Sequence, residues 1–436
     1  MDNISNTFCT APWVHAYANK IKGKRKLCCN SVYQNDHDTS EVTDLEQWWN
    51  DDYMKSVRKR MLNGETLPEC KICDPNDKKS ITAGSYKDMW NESYKDYIKT
   101  ILENTTPDGE TSLSPTSFHY ELSNLCNFAC RMCSVEWASK IEAEAKKHKN
   151  YPLKKYERGY LEADHQNMIK PWQKTLEDEL WKSVKDKTLT NIYFAGGEPL
   201  MWDIHWKVLT HLVESGHSKN VWIRYNTNLS RMHYKDYDLV ELLKQFKRVD
   251  IGCSIDGGGP VGEYVRTGLV WEQWKENFKK LYQLRLYDKS RFQIHLETTI
   301  TTPGLFGGMP ELINFAIEQD ARIRIHRAGP HEPDNLICPS AVPRSVMDKC
   351  IDDIILNVKQ KNIRDSDYAV KQLLRIKDKP VYEEDFKNYD IDLRRGKEKV
   401  EFIENIRKGL TLKQIIEQSG NQEALKWYIK IGRAHV

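Results

Sequence analysis

Ser117-Phe-His-Tyr-Glu-Leu-Ser123 runs directly into Asn124-Leu-Cys126-Asn-Phe-Ala-Cys130-Arg-Met-Cys133, and these seventeen residues decide the fold. The first part alternates. Phe118, Tyr120 and Leu122 fall at every second position, the period of a half-buried strand. The second part places three cysteines, four and three residues apart, on a loop that follows the strand and opens a helix. Thiolates at this spacing can wrap one iron–sulfur cube from a single loop, and three of them leave one of its four irons open to a non-protein ligand. A zinc site, the competing account, normally takes four ligands.

Downstream, strand and helix patterns alternate. Helix is expected over Ser134–Lys147, then strand Asn191–Phe194, helix Trp202–Glu214, strand Val221–Tyr225 and helix Tyr234–Phe246. Strand Val249–Ile255, helix Trp271–Leu286, strand Phe292–Ile300, helix Pro310–Gln319 and strand Ala321–His326 follow. Six strands separated by helices predict an α/β fold with a parallel sheet and right-handed crossovers. Six units are too few for a complete eight-unit barrel, so a partial barrel and a doubly wound sheet both fit. Either fold puts the working residues at the C-terminal ends of the strands.

Further motifs fall at those ends. Ala195-Gly196-Gly197-Glu198-Pro199 closes one strand; its glycines would let backbone approach a ligand, with the Glu198 charge beside it. Tyr225-Asn226-Thr227-Asn228 closes the next, and its amides can hydrogen-bond a ribose or a carboxylate. Cys253-Ser254-Ile255-Asp256-Gly257 follows; Cys253 alternates with Ile251 and Ile255 as a core thiol, and Asp256 could cap the next helix. Tyr264-Val265-Arg266-Thr267-Gly268 offers a guanidinium suited to a carboxylate. His295, Glu297, Thr298, Arg324, His326 and Arg327 lie at or near the last two strand ends and are candidates for substrate contact.

Together these residues resemble the radical S-adenosylmethionine superfamily, whose hallmark is CxxxCxxC with a bulky apolar residue before the last cysteine, here Met132. The resemblance implies a partial (βα)6, TIM-like barrel over 111–335. It also implies a [4Fe–4S] cluster on Cys126, Cys130 and Cys133, the open iron chelated by S-adenosylmethionine. Gly196, Gly197, Glu198 and Pro199 match the family's GGEP element, which holds the methionine amino group. Thr227-Asn228 fits the T-N pair the family commonly carries at this strand end, with Asn226 beside it as a further cofactor contact. Ser254 and Asp256 would lie near the ribose, and Arg266 would meet the methionine carboxylate. The activity implied is reductive cleavage of S-adenosylmethionine, then hydrogen abstraction from a substrate, with a reductant such as flavodoxin or ferredoxin as partner.

Residues 1–110 carry a second cysteine set: Cys9, Cys28, Cys70 and Cys73, with Cys29 as an adjacent spare. Thirteen residues separate Cys9 from Gly23, four separate Gly23 from Cys28, and Cys70-Lys-Ile-Cys73 is a C-x-x-C knuckle. This set resembles the twitch form of the SPASM auxiliary-cluster module, although that module usually follows the radical core. The resemblance implies an auxiliary Fe–S cluster. A four-cysteine zinc knuckle is the alternative, and Cys28 or Cys29 could ligate. Asp44–Leu62 reads as an amphipathic helix and Thr105–Thr116 as a linker.

Composition narrows the classes. The 66 basic and 63 acidic residues of this 436-residue chain nearly balance, which argues against a long nucleic-acid partner. No run of about 18 apolar residues indicates a membrane span, and the N-terminus lacks a signal-peptide pattern, so a cytoplasmic location is expected. Eight of the eleven cysteines fall in the two sets, and clusters in such a setting read as metal ligands in preference to disulfides. Residues 336–430 are expected to be a mostly helical extension, with helix periodicity over Val346–Val358 and Val400–Leu410, and to carry no chemistry. The last six residues, Ile431–Val436, resemble a translated sequencing adaptor and are read as foreign. A peptide or protein substrate is the first expectation. A sugar or nucleotide metabolite, and a non-catalytic zinc or Fe–S binding protein, are the alternatives.

Overall fold

The computed structural model describes residues 5–19, 24–32, 44–73 and 85–432. Gly23 and the last four residues lie outside these. One eight-stranded sheet organises the chain. Its strands are β1 (His15–Asn19), β2 (Lys24–Lys26), β3 (Ser117–Ser123), β4 (Asn191–Gly196), β5 (Trp222–Thr227), β6 (Arg248–Ser254), β7 (Phe292–Ile300) and β8 (Ile323–Arg327). They lie in the order β8-β7-β6-β5-β4-β3-β1-β2. Every neighbouring pair is parallel except β1 with β2.

Alternation along the strands explains the layers. Phe118, Tyr120, Ile192, Phe194, Ile223, Tyr225, Val249, Ile251, Phe292, Ile294 and Ile323 are buried in one continuous apolar core. Burial of each such side chain stabilises the fold by about 1.5–3 kcal/mol. The intervening positions His119, Tyr193, Arg224, Asp250, His295 and Arg324 line a cavity on the opposite face. The apolar face is covered by helices that include α1 (Asp203–Glu214), α2 (Leu239–Leu243), α3 (Trp271–Tyr287) and α4 (Met309–Glu318). On α3, Trp271, Trp274, Phe278 and Tyr282 fall three or four residues apart and therefore on one face, where each ring stacks on the next.

The structure departs from the sequence reading in several places. The N-terminal stretch does not stand apart from the sheet: His15 and Asn19 pair in register with Ser117 and Glu121, so β1 extends the parallel sheet by one strand. The helix expected over Asp44–Leu62 is two helices, Leu45–Trp49 and Asp52–Leu62. Asp51 separates them by capping the second, its side chain accepting from the Met54 amide at 2.7 Å. Tyr234–Phe246 is helical only over α2, behind a two-stranded turn of His233–Tyr234 and Tyr237–Asp238. A long helix, Ala163–Lys185, carries Pro171 inside it and went unread. Thr105–Thr116 is pinned to its surroundings: the Trp13 indole donates to Thr105 and the Trp49 indole to the Leu113 carbonyl. Among the described residues, no helix is long and apolar enough to cross a membrane.

Candidate functional site

The cysteine loop leaves β3 at Ser123 and is gripped from two sides. On one side the end of β4 folds against it, with the Gly197 amide donating to Ser123 and the Glu198 amide to the Leu125 carbonyl, both at 2.8 Å. Here the two glycines have a physical reason that the sequence reading missed. A Cβ on Gly196 would stand 2.4 Å from the Ser123 carbonyl oxygen, and one on Gly197 would stand 2.5 Å from that of Leu125. Gly196 also has φ of +129°, where side chains are strained. The close approach is between two backbone segments of the protein. On the other side, Ala129 and Cys130 form a short antiparallel ladder with Thr267 and Arg266.

Cys126, Cys130 and Cys133 are mutually close. Cys130 and Cys133 share a hydrogen bond, and Cys126 and Cys130 interact electrostatically. Burial pushes the Cys126 thiol up to about 12. Cys130 is lowered, by the Cys133 hydrogen bond and against burial, with Arg266 and Arg407 favouring its thiolate. Cys133 is exposed at the rim. Among the described residues, no three Cys, His, Asp or Glu side chains close around a single ion. Three neighbouring thiols on one loop, with two arginines beside them, are a donor set that fits an anionic multi-iron cluster.

Glu198 is buried and committed. It accepts from Thr227 Oγ1 at 2.6 Å, the Asn228 amide at 2.5 Å and the Leu200 amide at 3.0 Å. Burial outweighs these bonds and raises its carboxyl to about 7. Its side chain therefore ties the β4 end to the β5 end. Asn228 in turn donates to Asn127 Oδ1 at 3.0 Å, bracing the residue after Cys126. Pro199 is buried in the turn that follows Glu198.

Asp256 does not cap the next helix. That helix, Gly259–Val265, is flanked by Gly258, while the Asp256 carboxylate pairs with Arg266 Nε at 2.6 Å and accepts from the Thr299 amide at 2.8 Å. Held this way, Arg266 reaches Cys130 Sγ at 3.9 Å. Asn226, Ser254 and Arg266 line the polar cavity, whereas Met132 lines a second cavity of about 160 Å³ with Cys130, Cys133, Gly329 and Arg407. The sequence-predicted residues thus divide around the loop. Glu198, Asn228, Asp256 and Arg266 brace it, Asn226 and Ser254 face the polar cavity, and Met132 faces away.

Arg407, at the end of the helix Tyr389–Arg407, was not anticipated. It donates to the Ala129 carbonyl at 2.7 Å, to Glu144 at 2.8 Å and to the Tyr151 hydroxyl at 3.3 Å. The C-terminal region, read from sequence as free of chemistry, therefore clamps the residue before Cys130 from 278 positions away. No local sequence signal marks that contact.

The second cysteine set gathers elsewhere. Cys9, Cys28, Cys70 and Cys73 line one small cavity with Leu27, Met61 and Leu67. Burial raises Cys9 and Cys70 to about 12 and holds Cys28 well above its usual value. Cys29 lines the polar cavity instead. Tyr86 and Trp90, on the helix Ser85–Ser93, form part of the wall of both cavities.

The Radical SAM superfamily profile matches residues 120–310, from within β3 into the start of α4. This stretch is a radical SAM domain. It is an enzyme domain, and its family implies S-adenosylmethionine and a [4Fe–4S] cluster, for which Cys126, Cys130 and Cys133 are the fitting donors. Partial structural likenesses accompany the match. Streptococcus suis SuiB bound to S-adenosylmethionine is 14% identical over 57% of this chain and 47% of that one, with a TM-score of 0.32. SuiB bound to precursor peptide SuiA is 13% identical over 72% of this chain and 60% of that one, with a TM-score of 0.36. Native anSMEcpe with bound AdoMet is 14% identical over 55% of this chain and 58% of that one, with a TM-score of 0.35. The chain spans about half the length of the first of these and under two thirds of the others. No curated protein matches the chain.

Proposed function

We propose that the protein is a radical S-adenosylmethionine enzyme that abstracts hydrogen from a peptide or protein substrate. The observation that carries the reading is the cysteine loop itself: three thiols at the C-terminal rim of a parallel sheet, inside the matched radical SAM domain. When bound, S-adenosylmethionine and the cluster supply methionine and a 5′-deoxyadenosyl radical by one-electron cleavage. The residues of the chain have separate tasks. Cys126, Cys130 and Cys133 would hold the cluster, and the Gly196–Glu198 turn fixes the start of the loop. Asp256 orients Arg266, whose charge lies beside Cys130 and on the cavity wall, where it can also meet a cofactor carboxylate. Met132 and Pro199 shape the edges, and Asn226 and Ser254 present polar groups to a ribose.

Cys9, Cys28, Cys70 and Cys73 are read as ligands of an auxiliary Fe–S cluster. What supports this is their sharing one cavity while Cys29 faces another. A closed four-thiolate set suits electron relay between substrate and an external donor such as reduced flavodoxin or ferredoxin, in the cytosol where thiols stay reduced. The peptide assignment follows the resemblance to SPASM and twitch members.

The test is anaerobic. Protein reconstituted with iron and sulfide receives dithionite and S-adenosylmethionine, and 5′-deoxyadenosine is quantified. Product from the wild type and none from a variant with Cys126, Cys130 and Cys133 all changed to Ala establishes the chemistry. Zinc in place of iron at the core loop, or a wild type that is iron-loaded yet makes no product, overturns it.

A further inference from the structure

Lys146–Arg158 reads Lys-Lys-His-Lys-Asn-Tyr-Pro-Leu-Lys-Lys-Tyr-Glu-Arg, six cations to one acid in a chain whose 66 basic and 63 acidic residues nearly balance. The one acid is turned inward. Glu157 is buried, and its carboxylate accepts from the Lys154 amide at 2.8 Å, capping its own helix. Lys146 pairs with Glu142 and Lys154 with Glu332. Lys147, Lys149, Lys155 and Arg158 are exposed, and among the described residues they pair with no acid. A run of surface charge is ordinarily a solvated face, so its place in the fold decides whether it does more.

That place is beside the cysteine loop. Tyr151, buried in the middle of the segment, is held by turns: its amide donates to the His148 carbonyl at 2.9 Å, and the Leu153 amide donates to its carbonyl at 2.8 Å. Arg407 donates to the Tyr151 hydroxyl at 3.3 Å, and the same guanidinium donates to the Ala129 carbonyl at 2.7 Å. One side chain thus ties the basic segment to the residue before Cys130. Tyr151, Lys154 and Tyr156 line the cavity that also holds Met132 and the exposed Cys133. Tyr156 is 52% exposed, an aromatic ring at the surface next to Lys155. The acids nearby are engaged: Glu144 with Arg407, Glu142 with Asn124 as well as Lys146, and Glu136, near Tyr156, is partnered too. Uncompensated positive charge therefore borders the cysteine that reaches solvent.

One-electron cleavage of S-adenosylmethionine needs an electron from outside the chain. We infer that Lys147, Lys149, Lys155, Arg158 and Tyr156 form the docking surface of a small acidic electron-donor protein, which reduces the core cluster from the Cys133 side. The inference rests on the radical enzyme reading for the cluster. One electron leaves the donor's centre, which is oxidised, and enters the cluster, which is reduced; no bond forms or breaks. Charge complementarity selects this occupant, since exposed cations steer an acidic surface and an aromatic anchor seats it.

The probe is plant-type ferredoxin, an acidic [2Fe–2S] protein, set against methyl viologen, a small cation that needs no docking surface. Carbodiimide cross-linking of the full chain to ferredoxin, mapped by mass spectrometry, should join ferredoxin carboxylates to Lys147, Lys149 and Lys155 and fade with added salt. Iron-loaded protein then makes 5′-deoxyadenosine anaerobically from either reductant, with ferredoxin limiting. In Lys147→Glu/Lys149→Glu/Lys155→Glu the ferredoxin-driven rate falls about tenfold, the low end of what electrostatic steering supplies, while the viologen-driven rate is unchanged. Cross-links that map elsewhere, equal ferredoxin-driven rates, or equal slowing with both reductants overturn the inference. Oligo-thymidine that displaces ferredoxin from these lysines and binds more tightly also overturns it, and assigns the segment to nucleic acid. The two readings fail separately. No product with methyl viologen removes the radical chemistry, whereas viologen-driven product without cross-links at these lysines removes only the docking surface.

Discussion

The two cysteine sets solve different problems with the same side chain. The core loop draws its three cysteines from eight consecutive residues, keeps Cys133 exposed and stands between Arg266 and Arg407. The N-terminal set draws four cysteines from three separate segments into a mostly apolar cavity, where Lys87 is the single charged side chain among the described lining residues. Positive charge stabilises thiolates and an anionic cluster, while an apolar enclosure excludes solvent and disfavours both until metal binds. If both sets bind clusters as proposed, an open, exchangeable site is held by charge and backbone clamps and a closed one by burial.

The largest effect should come from changing Cys126, Cys130 and Cys133 together to Ala: 5′-deoxyadenosine falls to background and about four irons per chain are lost, leaving the N-terminal iron in place. If iron analysis shows both sites emptied together, the two sets are not independent and the contrast fails. Next is Arg407→Met, which removes a buried cation from Glu144 and from the Ala129 carbonyl. Breaking such a pair costs about 3–5 kcal/mol, so a urea midpoint shift is expected, together with loss of core iron and retention of N-terminal iron.

Glu297→Gln tests charge in the space between the two sets. Burial alone would raise Glu297, but hydrogen bonds from His295 and His326 outweigh it and bring its carboxyl to about 2. A folded value below the unfolded one stabilises the protein above the unfolded pKa, and this stability disappears as pH falls from about 4.3 through 2. The wild type should exceed the variant by about 3 kcal/mol at pH 7, and by about half of that near pH 3; equal urea midpoints at pH 7 would remove the charge argument. The smallest effect is expected from Cys29→Ser, whose iron content should match wild type while that of Cys28→Ser drops. The reverse result would exchange their assignments.

The strands from β3 to β8 were legible because each alternates apolar and polar residues locally. The motifs were legible because they sit at strand ends. What escaped was non-local. β1 is five residues long, and its partner lies 102 residues away, as in the bond between His15 and Ser117. Ala163–Lys185 was hidden by Pro171, normally a helix breaker. The glycines of the β4 end were noticed, but their neighbours could not be; only the folded chain shows that they face the Ser123 and Leu125 carbonyls. Spacing to Gly23 favours Cys28 but leaves Cys29 open, since consecutive residues can face opposite sides, and these two line different cavities.

The pairing of β1 with β3 also sets a timetable. Synthesis proceeds at about 5–20 residues per second, so the partner strand follows β1 by about 5–20 seconds. During that interval the sheet edge has nothing to dock on. Cys9, Cys28, Cys70 and Cys73 share a cavity lined within residues 7–90, so they can be enclosed once β3 arrives, whereas the loop that follows β3 waits for Arg266 and Arg407 and stays open to oxidant longer during translation.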